Sequence, residues 1–205
     1  MTSIKTTGAM LGAAALALTL ASAGMAQTTN KAATLSAMDK KFMTTAAQGG
    51  LFEVHSSEIA LKKTSNSHVL AVAKRMIKEH SAANKELATV AQDVGYTLPK
   101  ETDAKHLAAM SKMKSLSGSA FDKYYIGQQE VAHTATVKLL HAEIATGLDK
   151  DVTAFATKNL PEIEDHTKMI YQVGTGLDVH AGKKPMLKGS MMPSSMSGKH
   201  MKKPM

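Results

Sequence analysis

The chain reads as an all-α protein, an up-and-down bundle of four long helices with one extra short helix between the second and third. Three observations predict it. Apolar residues recur at spacings of three and four across four long windows, the pattern of a helix that buries one face. No window alternates at period two for long enough to form a strand. Polar and turn-forming residues punctuate the windows: Thr64-Ser65-Asn66-Ser67, Leu98-Pro99, Ser117-Gly118 and Gly147.

The first helix starts at Ser36, whose pairing with Asp39 resembles a capping box with Asp in place of Glu, and runs to about Lys63. Phe42, Ala46, Gly49, Glu53, Ser56 and Ala60 form its inner face, widened by Met43, Leu51, Val54 and Leu61. Gly49-Gly50 costs roughly 1 kcal/mol per glycine in a helix interior, which points to close approach of a neighbouring backbone or to a local break. The second helix ends near Val94, with Gly95 to stop it; its stripe is Val69, Val72, Met76, His80, Ala83, Leu87, Val90 and Val94. A short helix over 103–116 has Leu107, Met110 and Met113 as its apolar positions. The third long helix spans about Ala120 to Thr146, with Ser119 and Asp122 as an N-cap pair. The fourth starts at Asp151, with Val152, Phe155, Asn159, Ile163, His166, Ile170 and Val173 on its face; Pro161 inside it removes a backbone donor and predicts a kink.

Residues 1–26 read as a secretory signal peptide: Lys5, an apolar run from Met10 to Leu20, then small residues, with cleavage predicted after Ala26. The apolar run is shorter than the roughly 20 residues a membrane span needs. Residues 27–35 are a linker and 36–174 the folded domain. The chain has no cysteine, so it offers neither disulfide nor thiolate ligand. An exported chain of this kind suits a bacterial periplasm. Of the formal net charge of +8, Lys5 supplies +1 and residues 175–205 supply +5, which leaves +2 for residues 27–174. A nearly neutral domain with 4% aromatic residues and no Trp lacks the basic face and stacking platforms that nucleic-acid binding uses. There is no Gly-rich phosphate loop and no nucleophile with a base beside it, so nucleotide-binding and hydrolase functions have no support.

The chemistry concentrates at mid-helix. Glu53, His80, the pair Glu130/His133 and the pair Glu162/His166 lie near the middle of the four long helices, on their apolar faces. Glu130 and His133 are three apart and so share a helix face. One acid or histidine per helix, at one height and facing inward, is how a bundle builds a metal site, and also how it builds a buried hydrogen-bond network. His55, His68, His106 and His141 fall off the stripes or near helix ends and are expected to face solvent.

Several segments carry a resemblance. The run from Phe42 to Val54, Glu79-His80-Ser-Ala-Ala-Asn84, Leu98-Pro99, the set Ser117-Gly118, Phe121-Asp122 and Tyr125, and Leu160-Pro161 with His166 resemble an exported bacterial family called domain of unknown function 4142, over about residues 37–174. Glu79 stands where that family more often shows Asp. The resemblance implies a ferritin-like helical bundle in the periplasm or at the envelope, and no established activity. Ferritin-like di-iron sites take a Glu from two helices and Glu-x-x-His from the other two. Here Ile77 occupies the position a second-helix Glu needs, and Glu162/His166 are spaced four rather than three. A mononuclear set of Glu53, His80, His133 and His166 fits better, with Zn²⁺, Cu²⁺ or Fe²⁺ as the ion. Three readings stay open: a metal-binding domain, a structural module whose His/Glu network fixes helix register, and a metal-dependent redox enzyme.

The tail over 175–205 is rich in Lys, Gly, Ser and Pro, a composition that predicts disorder. Its methionines at 186, 191, 192, 196, 201 and 205 could bind Cu(I) through soft thioethers, against which six lysines count. The same lysines suit contact with anionic lipid or lipopolysaccharide at the envelope.

Overall fold

The computed structural model describes residues 35–180. Five helices make up the fold: α1 (Ala37–Lys63), α2 (Ser67–Asp93), α3 (Ala104–Ser115), α4 (Gly118–Thr146) and α5 (Lys150–Gly176), with no strand among the described residues. The all-α bundle with one short extra helix is as predicted. The signal segment, the linker up to residue 34 and the tail beyond residue 180 lie outside the described residues.

The helix starts follow from local hydrogen bonding. Ser36 and Asp39 form the reciprocal capping box predicted for α1. Asn66, Asp103 and Asp149 cap α2, α3 and α5 through their side chains. The start of α4 departs from expectation. Its N-cap is Ser117, which makes no side-chain capping bond, and Gly118 takes φ 55°, a left-handed conformation that glycine adopts without cost. Ser119 and Asp122 therefore lie inside the helix, and Asp122 is buried. α1 passes unbroken through Gly49-Gly50. A Cβ at Gly50 would meet Asn84 Oδ1 of α2 at 1.9 Å, so this glycine serves close helix approach. α5 continues through Pro161 and on to Gly176. Beyond it His180 stacks on Tyr171, so ordered structure reaches into the segment read as tail.

α3 sets the topology. Tyr96, just past α2, hydrogen-bonds Thr44 near the start of α1, whereas Lys63 at the end of α1 reaches the carbonyl of Leu116. The segment holding α3 therefore crosses the length of the bundle before α4 begins. Along the axis the long helices run up, down, down, up, in place of the simple alternation that short connections would give. α4 pairs antiparallel with α1 through Tyr125–Ser57 and Gln129–Ser56, and α5 with α2 through Arg75–Asp165 and Lys158–Glu86. α1 and α5 each pack on α2 and α4, and α3 lies outside, on α1 and α4.

The apolar core comes in two blocks. Phe52, Met76, Phe121, Tyr125 and Ile170 fill the end covered by α3; Phe42, Met43, Leu87, Leu140, Phe155 and Ile163 fill the other. Between them lies a buried polar layer: Glu53, Ser56, Ser57, His80, Gln129, His133 and His166. Phe52, off the expected inner stripe of α1, is buried because α3 covers it. His106 of α3 stacks on that ring at 4.3 Å between centroids, and is half-buried rather than facing solvent. His55, His68 and His141 are exposed, as expected.

Candidate metal centre

His80, His133 and His166 come from α2, α4 and α5, and the heptad-like spacing of apolar neighbours turns each inward at the same height. One ring nitrogen from each lies within 4.8 Å of the others. Their ring centroids form a nearly equilateral triangle with sides of 5.3, 5.3 and 5.4 Å. All three are almost fully buried.

Hydrogen bonding fixes which atoms are free. The backbone carbonyl of Gln129 can only accept, so His133 donates its Nδ1–H to it at 2.9 Å, and the Nε2 lone pair is left facing His80 Nε2 at 3.3 Å. His166 donates Nε2–H to Glu79 Oε2 at 2.5 Å, and its Nδ1 is buried and has no hydrogen-bond partner. Two nitrogens bound to one tetrahedral ion at 2.0–2.1 Å are about 3.3–3.4 Å apart, which the His80–His133 separation matches. The donor set thus fits a transition-metal ion on two counts, the spacing and the orphaned His166 nitrogen.

The electrostatics agree. Burial, then the neighbouring histidines, holds His80 well below the ordinary imidazole value. Burial, then His166, lowers His133 to about 3, with the Gln129 carbonyl opposing. Both rings are therefore neutral at physiological pH, the form that ligates metals. Burial pushes Glu53 up to about 8, against a hydrogen bond from Gln129. Burial also pushes Glu79 up, but hydrogen bonds from His166 and Arg75 and the guanidinium charge outweigh it, so Glu79 ends below its ordinary value.

The sequence-derived residues fare differently. Glu53 lies beside the triad: Oε1 is 3.6 Å from His133 Nδ1, so it neighbours that ring without a hydrogen bond to it and is not among the three converging nitrogens. Glu162 gathers with Glu79 and His166 in a second, half-buried group on the outer side of His166. Glu130 is not brought to the site. Its carboxylate pairs with His180 Nδ1 at 3.3 Å. The reason is helical phase. At about 100° per residue, Gln129 is only about 40° from His133 around the helix, and Glu130 is about 60° off on the other side. Gln129 accordingly takes the buried position, donating to Ser56 Oγ at 3.1 Å.

Two residues of the site escaped sequence reasoning. Gln129 precedes His133 by one helical turn, a signal available once α4 is phased on Tyr125 and His133. Glu79, next to His80, sits at the seam between α2 and α5, where Arg75 and His166 both reach it; nothing in the spacing within α2 marks it.

A family model described as Domain of unknown function (DUF4142) matches residues 24–173. No curated protein and no solved structure matches the chain.

Proposed function

We propose that this chain, which belongs to the DUF4142 family, is an exported, periplasmic, ferritin-like domain that binds one transition-metal ion through His80, His133 and His166. The observation that carries the reading is the convergence of three buried histidines, two of them held neutral, with His166 Nδ1 left without a hydrogen-bond partner. Zn²⁺, Cu²⁺ and Fe²⁺ all suit an imidazole set, and bound there the ion would supply Lewis acidity. Glu79 holds His166 by accepting its Nε2–H, and Glu53 lies against the Nδ1 edge of His133. To ligate through Nε2, His80 must move its proton to Nδ1, a tautomer shift that needs no change of net charge. The single crossover connection is the topology of ferritin-like bundles, which supports the fold assignment. The leader and the absence of cysteine support export.

The rival reading is a structural or interaction module. Its support is that each of the three rings makes a hydrogen bond without any ion, His80 with His133 and His166 with Glu79. In both readings the lysine-rich tail is the element suited to an anionic envelope surface. The deciding experiment is metal content by mass spectrometry of untagged protein from periplasm, for the full chain, a form ending at His180, and full-length His80→Ala and His133→Ala. Near-stoichiometric metal in the shortened form, abolished by either substitution with the fold retained, supports the triad. Metal lost with the tail moves the site to the methionines. No metal after reconstitution with zinc, copper and iron leaves the structural network.

A further inference from the structure

Next to the histidine layer, toward the Phe42–Phe155 end, the bundle axis is not filled. A cavity of about 40 Å³ lies there, lined among others by Glu53, His80, Asn84, Thr136 and Asn159. Close packing is the rule in such interiors, so a void beside a polar layer needs a reason. Small residues create it: Ala46, Gly49 and Ala83 leave the wall unfilled, and a Cβ at Gly49 would meet nothing within 4 Å. A single water needs about 10–15 Å³ of such space, so the cavity takes a ligand of about one to three heavy atoms. Its walls are not inert. Glu53 is 4% exposed and its Oε2 has no hydrogen-bond partner, and His80 is the histidine of the triad that lines it.

We propose that this cavity seats a small exogenous ligand, of the size of hydroxide, dioxygen or azide, that completes the coordination of the ion held by the triad and hydrogen-bonds to the Glu53 carboxyl. The inference rests on the metal-binding reading and specifies what that site would accept. Three histidines with a fourth position open is the arrangement that lets a bound ion take an exchangeable ligand, whereas a structural site closes all four positions with protein atoms. The limit on size comes from the packed side chains of Leu140 and Phe155, which wall the cavity.

The test uses the full-length protein loaded with cobalt(II), a spectroscopic substitute for zinc. Metal stoichiometry is measured first, and azide and imidazole are then titrated against the visible cobalt absorption. Saturable change with azide and at least tenfold weaker response to imidazole, which has five heavy atoms, is the expected result. Leu140→Ala removes a wall and is expected to raise the imidazole response at least tenfold. Ala83→Leu fills the space and is expected to weaken azide at least tenfold with cobalt stoichiometry kept. Should either variant fail to fold, the azide-to-imidazole ratio of the parent protein still decides. Stoichiometric cobalt with no azide response, or with equal response to both ligands, overturns the inference and leaves metal binding intact. Failure to hold cobalt overturns both.

Discussion

Glu53 and Glu143 show what the buried layers cost the protein. Burial raises Glu53 from an ordinary 4.5 to about 8 and, with Asp39 close by, raises Glu143 to about 7. Between the ordinary and the raised value the unfolded chain ionises while the fold keeps its proton, so stability falls as pH rises. His80 and His133 act in the opposite sense. Their folded values lie below the ordinary 6.5, so the unfolded chain takes up protons first and stability falls as pH drops below 6.5. The apo protein is therefore expected to melt highest between about pH 4.5 and 6.5 and lower on either side. A tenfold change in a proton-binding constant on folding is worth about 1.4 kcal/mol, enough to move a melting transition visibly. Glu143→Gln should flatten the alkaline limb and raise the melting temperature at pH 8 by several degrees. Thermal melts in chelator from pH 3.5 to 9 check this; an unchanged alkaline limb in the variant would refute it.

The Glu130–His180 pair makes a contrast at the same scale. Because Glu130 faces the end of α5 and not the triad, Glu130→Gln is expected to leave metal stoichiometry unchanged, whereas His133→Ala abolishes it. Loss of metal from the Glu130 variant would mean the site is built differently.

Among the elements, α2 starts on a single neutral side-chain cap. Asn66 Oδ1 accepts from the backbone N–H groups of His68 and Val69, and no acidic residue supports the first turn. Asn66→Ala is expected to cost about 1 kcal/mol, read from denaturant midpoints at unchanged slope. α1 makes the complementary case at Gly50. Alanine there gains roughly 1 kcal/mol of helix propensity, but its Cβ would stand where Asn84 Oδ1 lies. Since Asn84 also lines the cavity beside His80, Gly50→Ala should perturb azide binding more than it perturbs the melting temperature. α4 explains how one helix serves both core and site. Tyr125, Gln129 and His133 follow one another at intervals of four, so the aromatic block, the polar bridge to α1 and the triad's His133 ring lie along one inner edge.

At the scale of the whole molecule, the polar layer divides the core at mid-height and joins all four long helices. A ligand that binds the native state at 100 times its dissociation constant stabilises it by about 2.7 kcal/mol. An ion held by α2, α4 and α5 should therefore raise the melting temperature by several degrees, reversed by chelator. His80→Ala should remove that increment while leaving the apo melt near the parent value. A metal-independent fall in the apo melt would favour the purely structural network.

Much of this was legible in the sequence. Apolar periodicity and turn chemistry placed all five helices, because a helix must bury one face and end where its backbone runs out of partners. The inward histidines at mid-helix were legible for the same reason, as polar residues interrupting an apolar stripe. Tertiary structure decided the rest. Whether Glu130 or Gln129 shares the inside with His133 is a matter of helix phase, and a difference of one residue rotates a side chain by about 100°. That Glu79 would back His166 depends on α5 running antiparallel to α2, a consequence of the α3 crossover. Spacing within a helix is local and can be read from the chain; which helices meet, and on which edge, is set by how the faces pack.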